Sequence, residues 1–191
     1  MITKIRKQSK RILQPIARLF VSARINANTI TFIGLAFSFL YLLIIYEFKN
    51  VILGILFIAL SAFMDALDGE VARLSNSASQ KGSFIDSSLD RIEDINYFLG
   101  LALIGFQTFI IAIIIGVSLL IPYLRAKGES LGLKVEGRGI IERGERIIFV
   151  VIILLLSLFS TLIASYMLYA LLVLSIITVI QRFYYIYVNL P

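Results

Sequence analysis

Two long stretches of this chain contain no charged residue. Residues 95–124 give thirty uncharged positions and residues 147–181 give thirty-five. A helix rises about 1.5 Å per residue, so about 20 apolar residues cross the hydrocarbon core of a bilayer. Each stretch is therefore too long for one span and predicts two helices, with turns near residues 105–107 and 157–161.

Composition places the whole chain in the membrane class. It has 191 residues, of which 59% are hydrophobic and 16% are charged, with a mean hydropathy of +0.94. Soluble domains carry about 25% charged residues. Cysteine and histidine are both absent, which excludes disulfides, Cys/His zinc sites and a Ser-His-Asp triad.

Two further apolar runs, at residues 30–46 and 51–64, bring the number of predicted transmembrane helices to six. The predicted spans are 29–47, 50–74, 82–104, 107–127, 142–159 and 162–188. We therefore expect an all-α integral membrane protein that forms a single domain over residues 1–191, with a six-helix bundle over residues 29–188.

The N-terminal segment, residues 1–24, is predicted to be an interfacial amphipathic helix. It holds seven of the eighteen Lys and Arg residues. Apolar residues recur among them at helical spacing, namely Ile5, Ile12, Leu13, Ile16, Leu19 and Phe20. A basic helix with one apolar face binds an anionic membrane surface. A disordered basic tail is the alternative.

The distribution of the basic residues predicts the orientation. With six spans and a cytoplasmic N-terminus, seventeen of the eighteen basic residues fall on the cytoplasmic side, as the positive-inside rule requires. Glu47 and Lys49 then face the outside. Both termini and the polar site described next are expected in the cytoplasm.

All five aspartates lie where the second and third predicted helices meet. Asp65 and Asp68 are spaced i, i+3, and Asp86 and Asp90 are spaced i, i+4, so each pair shares a helix face. If the two helices are antiparallel neighbours, the four carboxylates converge. One like-charge pair about 4 Å apart costs about 4 kcal/mol at an effective dielectric near 20. An oxygen-only donor set suits Mg²⁺ or Mn²⁺, whereas Asp94 is expected to be solvated or ion-paired.

Small residues on the same helix face indicate a pocket beside these carboxylates. Gly69 and Ala72 follow Asp65 and Asp68 on that face, and Arg73 comes next. Glycine inside a helix costs about 1 kcal/mol relative to alanine, and it is useful where a ligand approaches the backbone closely. Together with a metal and an arginine, the pattern predicts a pocket for a phosphate-bearing ligand.

The spacing of these residues resembles the signature of the CDP-alcohol phosphotransferase family. That signature reads D-x2-D-G-x2-A-R-x8-G-x3-D-x3-D, and residues 65–90 fit it at each of its eight fixed positions. The resemblance implies transfer of a diacyl- or dialkylglycerol phosphate group from a CDP-linked lipid to an alcohol, with release of CMP. It also implies six transmembrane helices and a homodimer.

The resemblance further implies a role for each matching residue. Asp65, Asp68, Asp86 and Asp90 are expected to hold two Mg²⁺ or Mn²⁺ ions, with Asp90 as the catalytic base. The CDP-lipid is expected to contact Asn28, Thr31, Asp68, Gly69, Ala72, Arg73 and Gly82. Ala27 stands where the family usually has a proline.

A second polar stretch, residues 123–149, resembles the acceptor site of one subgroup of that family. Its segments Y-L-R-A-K-G-E and G-I-I-E-R-G-E-R are similar to S-Y-x-R-A-R-A-E and G-I-x-E-R-x-E-R of phosphatidylinositol-phosphate and archaetidylinositol-phosphate synthases. Pro122, Lys127 and Gly128 depart from the subgroup's serine, arginine and alanine. The resemblance implies that the acceptor is inositol 1-phosphate and that its phosphate is bound by Arg125, Lys127, Arg143, Arg146 and Arg182.

Several alternatives remain open from the sequence. The same reaction could use another phosphorylated acceptor, such as glycerol 3-phosphate, and the basic residues of 123–149 would also suit an ordinary positive-inside loop. An ion-coupled membrane transporter is the alternative from a different class, because intramembrane carboxylates mark ion pathways, although no inverted repeat is evident. A membrane prenyltransferase also uses aspartates and Mg²⁺, but without this spacing.

Overall fold

A computed structural model describes residues 13–190, and every regular element within that range is an α-helix. Helix α1 covers residues 13–22. It is followed by α2 (Ala27–Phe48), α3 (Val51–Leu74), α4 (Gln80–Leu103), α5 (Thr108–Ser130), α6 (Arg143–Ser157) and α7 (Thr161–Asn189). The predicted all-α architecture is confirmed, and each of the six predicted spans overlaps one helix from α2 to α7.

Polar residues between the apolar runs set the helix ends. Lys49, which follows α2, adopts a left-handed conformation with φ 51°. The Asn50 side chain then caps α3 by accepting from the Leu53 N–H at 3.0 Å. Ser79 caps α4 by accepting from the Gly82 N–H at 3.1 Å. Such side chains satisfy N–H groups in the first turn that have no partner inside the helix.

Four helices, α2, α3, α5 and α7, are long and apolar enough to cross a membrane, as expected of an integral membrane protein. Helix α4 does not meet this measure because it carries six charged residues, and α6 does not because it has only 15 residues. Large apolar side chains point outward, among them Phe109, which is 74% exposed, and Tyr187, which is 73% exposed. An outer surface of this kind is stable against lipid rather than water.

The six helices α2 to α7 pack in two groups. Helix α2 packs against α3 and α4, and helix α7 packs against α5 and α6. One buried apolar cluster runs through both groups, with Ile58 and Tyr97 from the first group and Ile114, Ile153 and Leu168 from the second. The cluster fixes the two groups side by side, and the charged residues lie where they meet.

Helix α1 packs on the protein through part of its apolar face. Ala17 joins a buried cluster with Ile30 of α2 and Leu67 of α3, while Leu19 is 67% exposed. The rest of the predicted amphipathic helix, residues 1–12, lies outside the described residues. An interfacial helix over the whole segment therefore stays a prediction.

Polar side chains tie α2, α3 and α4 together inside the apolar interior. Ser61 Oγ on α3 donates to the Gly34 carbonyl on α2 at 2.7 Å. Asn96 Nδ2 on α4 donates to Ser38 Oγ on α2 at 2.9 Å. Because the bilayer core holds no water to satisfy polar groups, such groups are stable only when they are paired within the protein. These contacts fix the register of the three helices that carry the aspartates.

Candidate active site

The structure brings four of the aspartates together across a space between α3 and α4. Carboxylate oxygens of Asp65, Asp68 and Asp86 lie within 4.8 Å of one another, and so do those of Asp65, Asp90 and Glu93. The sequence predicted that the carboxylates converge if the two helices are antiparallel neighbours. In the structure both helices pack against α2, and their carboxylates reach across the space between them. Carboxylates this close repel one another strongly unless cations neutralise them.

Helix α2 supplies a hydrogen bond to the carboxylate cluster. Thr31 Oγ1 donates to Asp68 Oδ2 at 2.6 Å, and both residues are buried. The sequence predicted Thr31 as a contact of the nucleotide-linked lipid. In the structure its hydroxyl orients a carboxylate, while Thr31 also faces the cavity described below.

The guanidinium of Arg143 lies among four carboxylates. Its Nη1 contacts Asp65 and lies 2.8 Å from Asp90 Oδ1. Its Nη2 donates to Glu93 Oε2 at 2.6 Å, and its Nε donates to Asp94 Oδ1 at 3.2 Å. Arg143 is the first residue of α6. The second group of helices thus delivers a cation to the cluster built by the first group.

Glu93 and Asp94 extend the carboxylate cluster beyond the four predicted residues. Glu93 is 0% exposed and Asp94 is 2% exposed. Asp94 Oδ2 accepts from Arg146 Nη2 at 2.7 Å, so of the two states predicted for Asp94, solvated or ion-paired, the structure shows the ion pair. The sequence did carry a signal for Glu93, because it follows Asp90 by three residues and so shares its helix face.

The donor set of this cluster fits a hard divalent cation. Six carboxylates and three guanidinium groups meet in this cluster, which leaves an excess of negative charge. The carboxylates are those of Asp65, Asp68, Asp86, Asp90, Glu93 and Asp94, and the guanidinium groups are those of Arg91, Arg143 and Arg146. Within residues 13–190, the buried Asp65 Oδ1 accepts no hydrogen bond. The buried Asp90 Oδ1 accepts none of good geometry either, although it lies 2.8 Å from Arg143 Nη1. Oxygen ligands without nitrogen or sulfur suit Mg²⁺ or Mn²⁺. The four aspartates could hold such ions, and their role as ligands stays a prediction.

A cavity of about 380 Å³ opens beside Asp68, and we call it the donor cavity. All seven residues predicted to contact the CDP-lipid line it, namely Asn28, Thr31, Asp68, Gly69, Ala72, Arg73 and Gly82. Helices α2, α3 and α4 each contribute to the wall, as does the link between α3 and α4. Residues distant in sequence thus form one surface, although ligand binding to it stays a prediction.

Small residues keep the donor cavity open. A Cβ added at Gly69 meets no atom within 4 Å, so a larger side chain there projects into the cavity. A Cβ added at Gly82 lies 3.3 Å from Ser79 Oγ, which makes glycine the best fit beside the cap of α4. The Arg73 side chain is 57% exposed and contacts Glu70 Oε2 at 2.6 Å. It places a cation at the rim of this cavity.

A second cavity, of about 830 Å³, shares Ser83 and Asp86 with the donor cavity, and we call it the acceptor cavity. Four of the five predicted acceptor residues line it, namely Arg125, Arg143, Arg146 and Arg182. Lys127 is exposed and does not form part of the wall. The reason is helical geometry: Lys127 is two residues from Arg125 on α5, and side chains at that spacing do not face the same way.

Arg182 is tied to the backbone of neighbouring segments. Its Nε donates to the Arg138 carbonyl at 2.7 Å, and its Nη1 donates to the Ile121 carbonyl at 2.8 Å. The residue is only 3% exposed. These contacts join α7 to α5 and to the loop before α6, so Arg182 shapes the acceptor cavity. A direct contact of Arg182 with a phosphate stays a prediction.

The chain belongs to the CDP-alcohol phosphatidyltransferase family, whose model matches residues 24–181. It is 50% identical over 133 residues to the archaetidylinositol phosphate synthase of Aeropyrum pernix, a match that covers 70% of this chain and 69% of that protein. It is 39% identical over 188 residues to the archaetidylinositol phosphate synthase of Pyrococcus horikoshii, covering 96% of this chain and 95% of that protein.

Solved structures are similar over nearly the whole chain. The phosphatidylinositol phosphate synthase of Mycobacterium tuberculosis with CDP-DAG bound has a TM-score of 0.81 and 29% identity, covering 93% of this chain and 94% of that one. The same enzyme in complex with manganese and citrate has a TM-score of 0.81 and 28% identity, covering 92% and 88%. Family membership confirms the predicted enzyme class, and the transporter and prenyltransferase alternatives are wrong.

Proposed function

We propose that the protein transfers a diacyl- or dialkylglycerol phosphate group from a CDP-linked lipid to a hydroxyl of inositol 1-phosphate and releases CMP, as a step of phospholipid biosynthesis. The shared wall of the two cavities carries this proposal, because Ser83 and Asp86 line both. A group bound in the donor cavity is then adjacent to a group bound in the acceptor cavity. Direct transfer between two bound substrates requires this proximity.

Asp90 is the proposed general base. It lines the acceptor cavity and follows Asp86 by one helical turn. Its carboxylate takes the proton from the acceptor hydroxyl. The resulting oxygen attacks the phosphorus attached to the lipid, and the bond from that phosphorus to the CMP oxygen breaks. Ions held by Asp65, Asp68, Asp86 and Asp90 neutralise charge on the phosphates when bound, and the manganese complex of the mycobacterial enzyme supports this assignment.

The cations of the acceptor cavity favour a phosphorylated acceptor. Arg143 and Arg146 lie one helical turn apart at the start of α6, and Arg125 faces the same cavity from α5. A planar guanidinium binds phosphate oxygens through two parallel hydrogen bonds. The relatives are named archaetidylinositol phosphate synthase and phosphatidylinositol phosphate synthase, which favours inositol 1-phosphate over the alternative acceptor, glycerol 3-phosphate.

We also propose that α2 to α7 cross the bilayer as six spans, with both termini and the active site in the cytoplasm. The positive-inside distribution of the basic residues supports this orientation. Three acidic residues of α4, Asp90, Glu93 and Asp94, pair with arginines of α6 inside the bundle. Charged residues of membrane helices usually face the bundle interior. Labelling of cysteines introduced at each terminus tests the orientation.

We also propose a homodimer, which rests on resemblance to the family and is tested by crosslinking in native membranes.

CMP release from the purified protein in mixed micelles tests the reaction. Ester-linked and ether-linked CDP-lipids are each combined with inositol 1-phosphate, free inositol or glycerol 3-phosphate, in the presence of Mn²⁺, Mg²⁺ or EDTA. We expect CMP only with inositol 1-phosphate and a divalent cation. Asp65→Asn should abolish release, and Glu47→Gln, an exposed carboxylate at the far end of α2, should leave it unchanged.

Two outcomes of this assay contradict different parts of the proposal. CMP release with glycerol 3-phosphate but not with inositol 1-phosphate contradicts the acceptor and leaves the reaction intact. The absence of CMP with every acceptor, from protein whose melting temperature still rises with CDP and Mn²⁺, contradicts the transfer reaction itself.

A further inference from the structure

Glu93 is a buried carboxylate with one cationic partner. Its side chain is 0% exposed, and within residues 13–190 Arg143 is the single cation within salt-bridge distance, at 2.6 Å between Nη2 and Oε2. Removing a carboxylate from water is strongly unfavourable unless it is paired and hydrogen-bonded. The position of the Glu93 carboxylate and that of the Arg143 guanidinium therefore depend on each other.

Three helices build the surroundings of Glu93. The Tyr97 hydroxyl, one turn further along α4, lies 3.3 Å from Glu93 Oε2 and 2.8 Å from Ser61 Oγ on α3. Ser61 in turn donates to the Gly34 carbonyl on α2. A Cβ added at Gly34 lies 3.2 Å from Glu93 Oε1, so the missing side chain makes room for the carboxylate. The location of Glu93 is thus set by contacts from three helices of the bundle.

Of the four carboxylates that contact Arg143, Glu93 is the one that neither belongs to the proposed metal site nor pairs with a second cation. Asp65 and Asp90 belong to the proposed metal site, where ions compete with the guanidinium for the same oxygens. Asp94 also pairs with the buried Arg146 at 2.7 Å. When ions occupy the site, Glu93 and Asp94 are the partners that remain with Arg143, and of these two Glu93 is the one without another cation within salt-bridge distance.

We propose that Glu93 is a positioning residue that holds Arg143 beside the metal carboxylates, ready to bind the acceptor phosphate. The inference rests on the proposed function, which gives that phosphate to Arg143. Arg143 lines the acceptor cavity and Glu93 does not, so Glu93 acts through Arg143. The competing assignment makes Glu93 a direct ligand of an ion, because its oxygens lie within 4.8 Å of those of Asp65 and Asp90.

Glu93→Gln tests the inference because glutamine keeps the shape and the acceptor for Tyr97 but removes the charge. We expect KM for inositol 1-phosphate to rise about tenfold and kcat to change less than about threefold. KM for the CDP-lipid should stay within about twofold of wild type. The dissociation constant of Mn²⁺, measured by EPR without substrates, should rise by about tenfold, the effect expected from the loss of one nearby charge. In an Arg143→Gln background the same change should have little further effect on KM, as expected for two residues that act as a unit. Glu47→Gln is the matched control.

Three results overturn the inference. A fall in kcat and melting temperature with no change in KM for inositol 1-phosphate assigns Glu93 a purely structural role. Weakening of Mn²⁺ binding by more than about a hundredfold, beyond the effect of one lost nearby charge, assigns it to the metal site instead. If Glu93→Gln fails to fold, Glu93→Asp keeps the charge on a shorter side chain, and an unchanged KM in that variant also overturns the inference. A wild-type protein that releases no CMP with inositol 1-phosphate contradicts the proposed function, and it does so before any variant is compared.

Discussion

Replacing Arg143 with glutamine is predicted to tighten the binding of a divalent cation while lowering turnover with inositol 1-phosphate. In the structure the Arg143 Nη1 contacts Asp65 and lies 2.8 Å from Asp90 Oδ1. An ion held by these two carboxylates would lie close to the guanidinium and would compete with it for Asp90 Oδ1. In the proposed site, the positive charge of Arg143 therefore opposes the binding of the ion.

The expected magnitude follows from Coulomb's law. A unit charge about 5 Å from a divalent cation is repelled by about 1.7 kcal/mol with the dielectric constant of water. The Arg143 side chain is only 20% exposed, so the local dielectric is lower than that of water and the repulsion is larger. A change of about 1.4 kcal/mol is about tenfold in a dissociation constant. We therefore expect Arg143→Gln to bind Mn²⁺ at least about tenfold more tightly than wild type.

The EPR signal of free Mn²⁺ measures this affinity directly in detergent-purified protein. Ionic strength is held constant because salt screens exposed charges. Lys134→Gln removes an exposed cation from the loop between α5 and α6 and should leave the affinity unchanged. Arg143→Lys, which keeps the charge, should stay close to wild type. Equal or weaker Mn²⁺ binding by Arg143→Gln would refute the reasoning, because the guanidinium would then be ordering the carboxylates for the ion rather than competing with it.

Three other substitutions test separate parts of the structure. Asp90→Asn should still bind CDP, which is measured as a CDP-dependent rise in melting temperature. Because the base is lost, CMP release should fall by about 10²- to 10⁴-fold, and near-normal turnover would exclude Asp90 from that role. Gly69→Leu places a side chain in the donor cavity at a position where an added Cβ meets nothing within 4 Å. KM for the CDP-lipid should therefore rise at a nearly unchanged melting temperature, and an unaltered KM would contradict that location of the donor. Gly100→Ala directs a Cβ into the Tyr41 hydroxyl and should cost about 1–3 kcal/mol of stability in thermal unfolding. Gly116→Ala, where an added Cβ meets nothing within 4 Å, is its control and should not lower the melting temperature.

The helices could be predicted because their limits depend on neighbouring residues. The turn predicted at residues 105–107 occurs where Gly105 has φ +108°, a conformation that glycine adopts without strain. The turn predicted at residues 157–161 ends where the Ser160 side chain caps α7. The spacing of the four aspartates likewise placed them on two helix faces. Each of these predictions needed only local sequence and the geometry of a helix.

Contacts between distant segments could not be predicted in the same way. Arg143 and Glu93 are 50 residues apart, and no spacing within either helix indicates which guanidinium reaches which carboxylate. Lys127 was grouped with Arg125 by sequence similarity alone, and the turn of α5 separates them. The placement of α2 against both α3 and α4 also depends on how whole helices pack, which the hydrophobic pattern of each one leaves open.

In the proposed reaction, the two packing groups of the bundle have different roles. The donor cavity is lined by α2, α3, α4 and adjoining residues. Four of the five guanidinium groups that line the acceptor cavity come from α5, α6 and α7, and the fifth, that of Arg91, comes from α4. Substitutions in the second group can therefore alter the alcohol that is used while the donor chemistry of the first group stays intact. A gene recombined between the codons for residues 103 and 108 would inherit its lipid donor from one parent and its headgroup from the other.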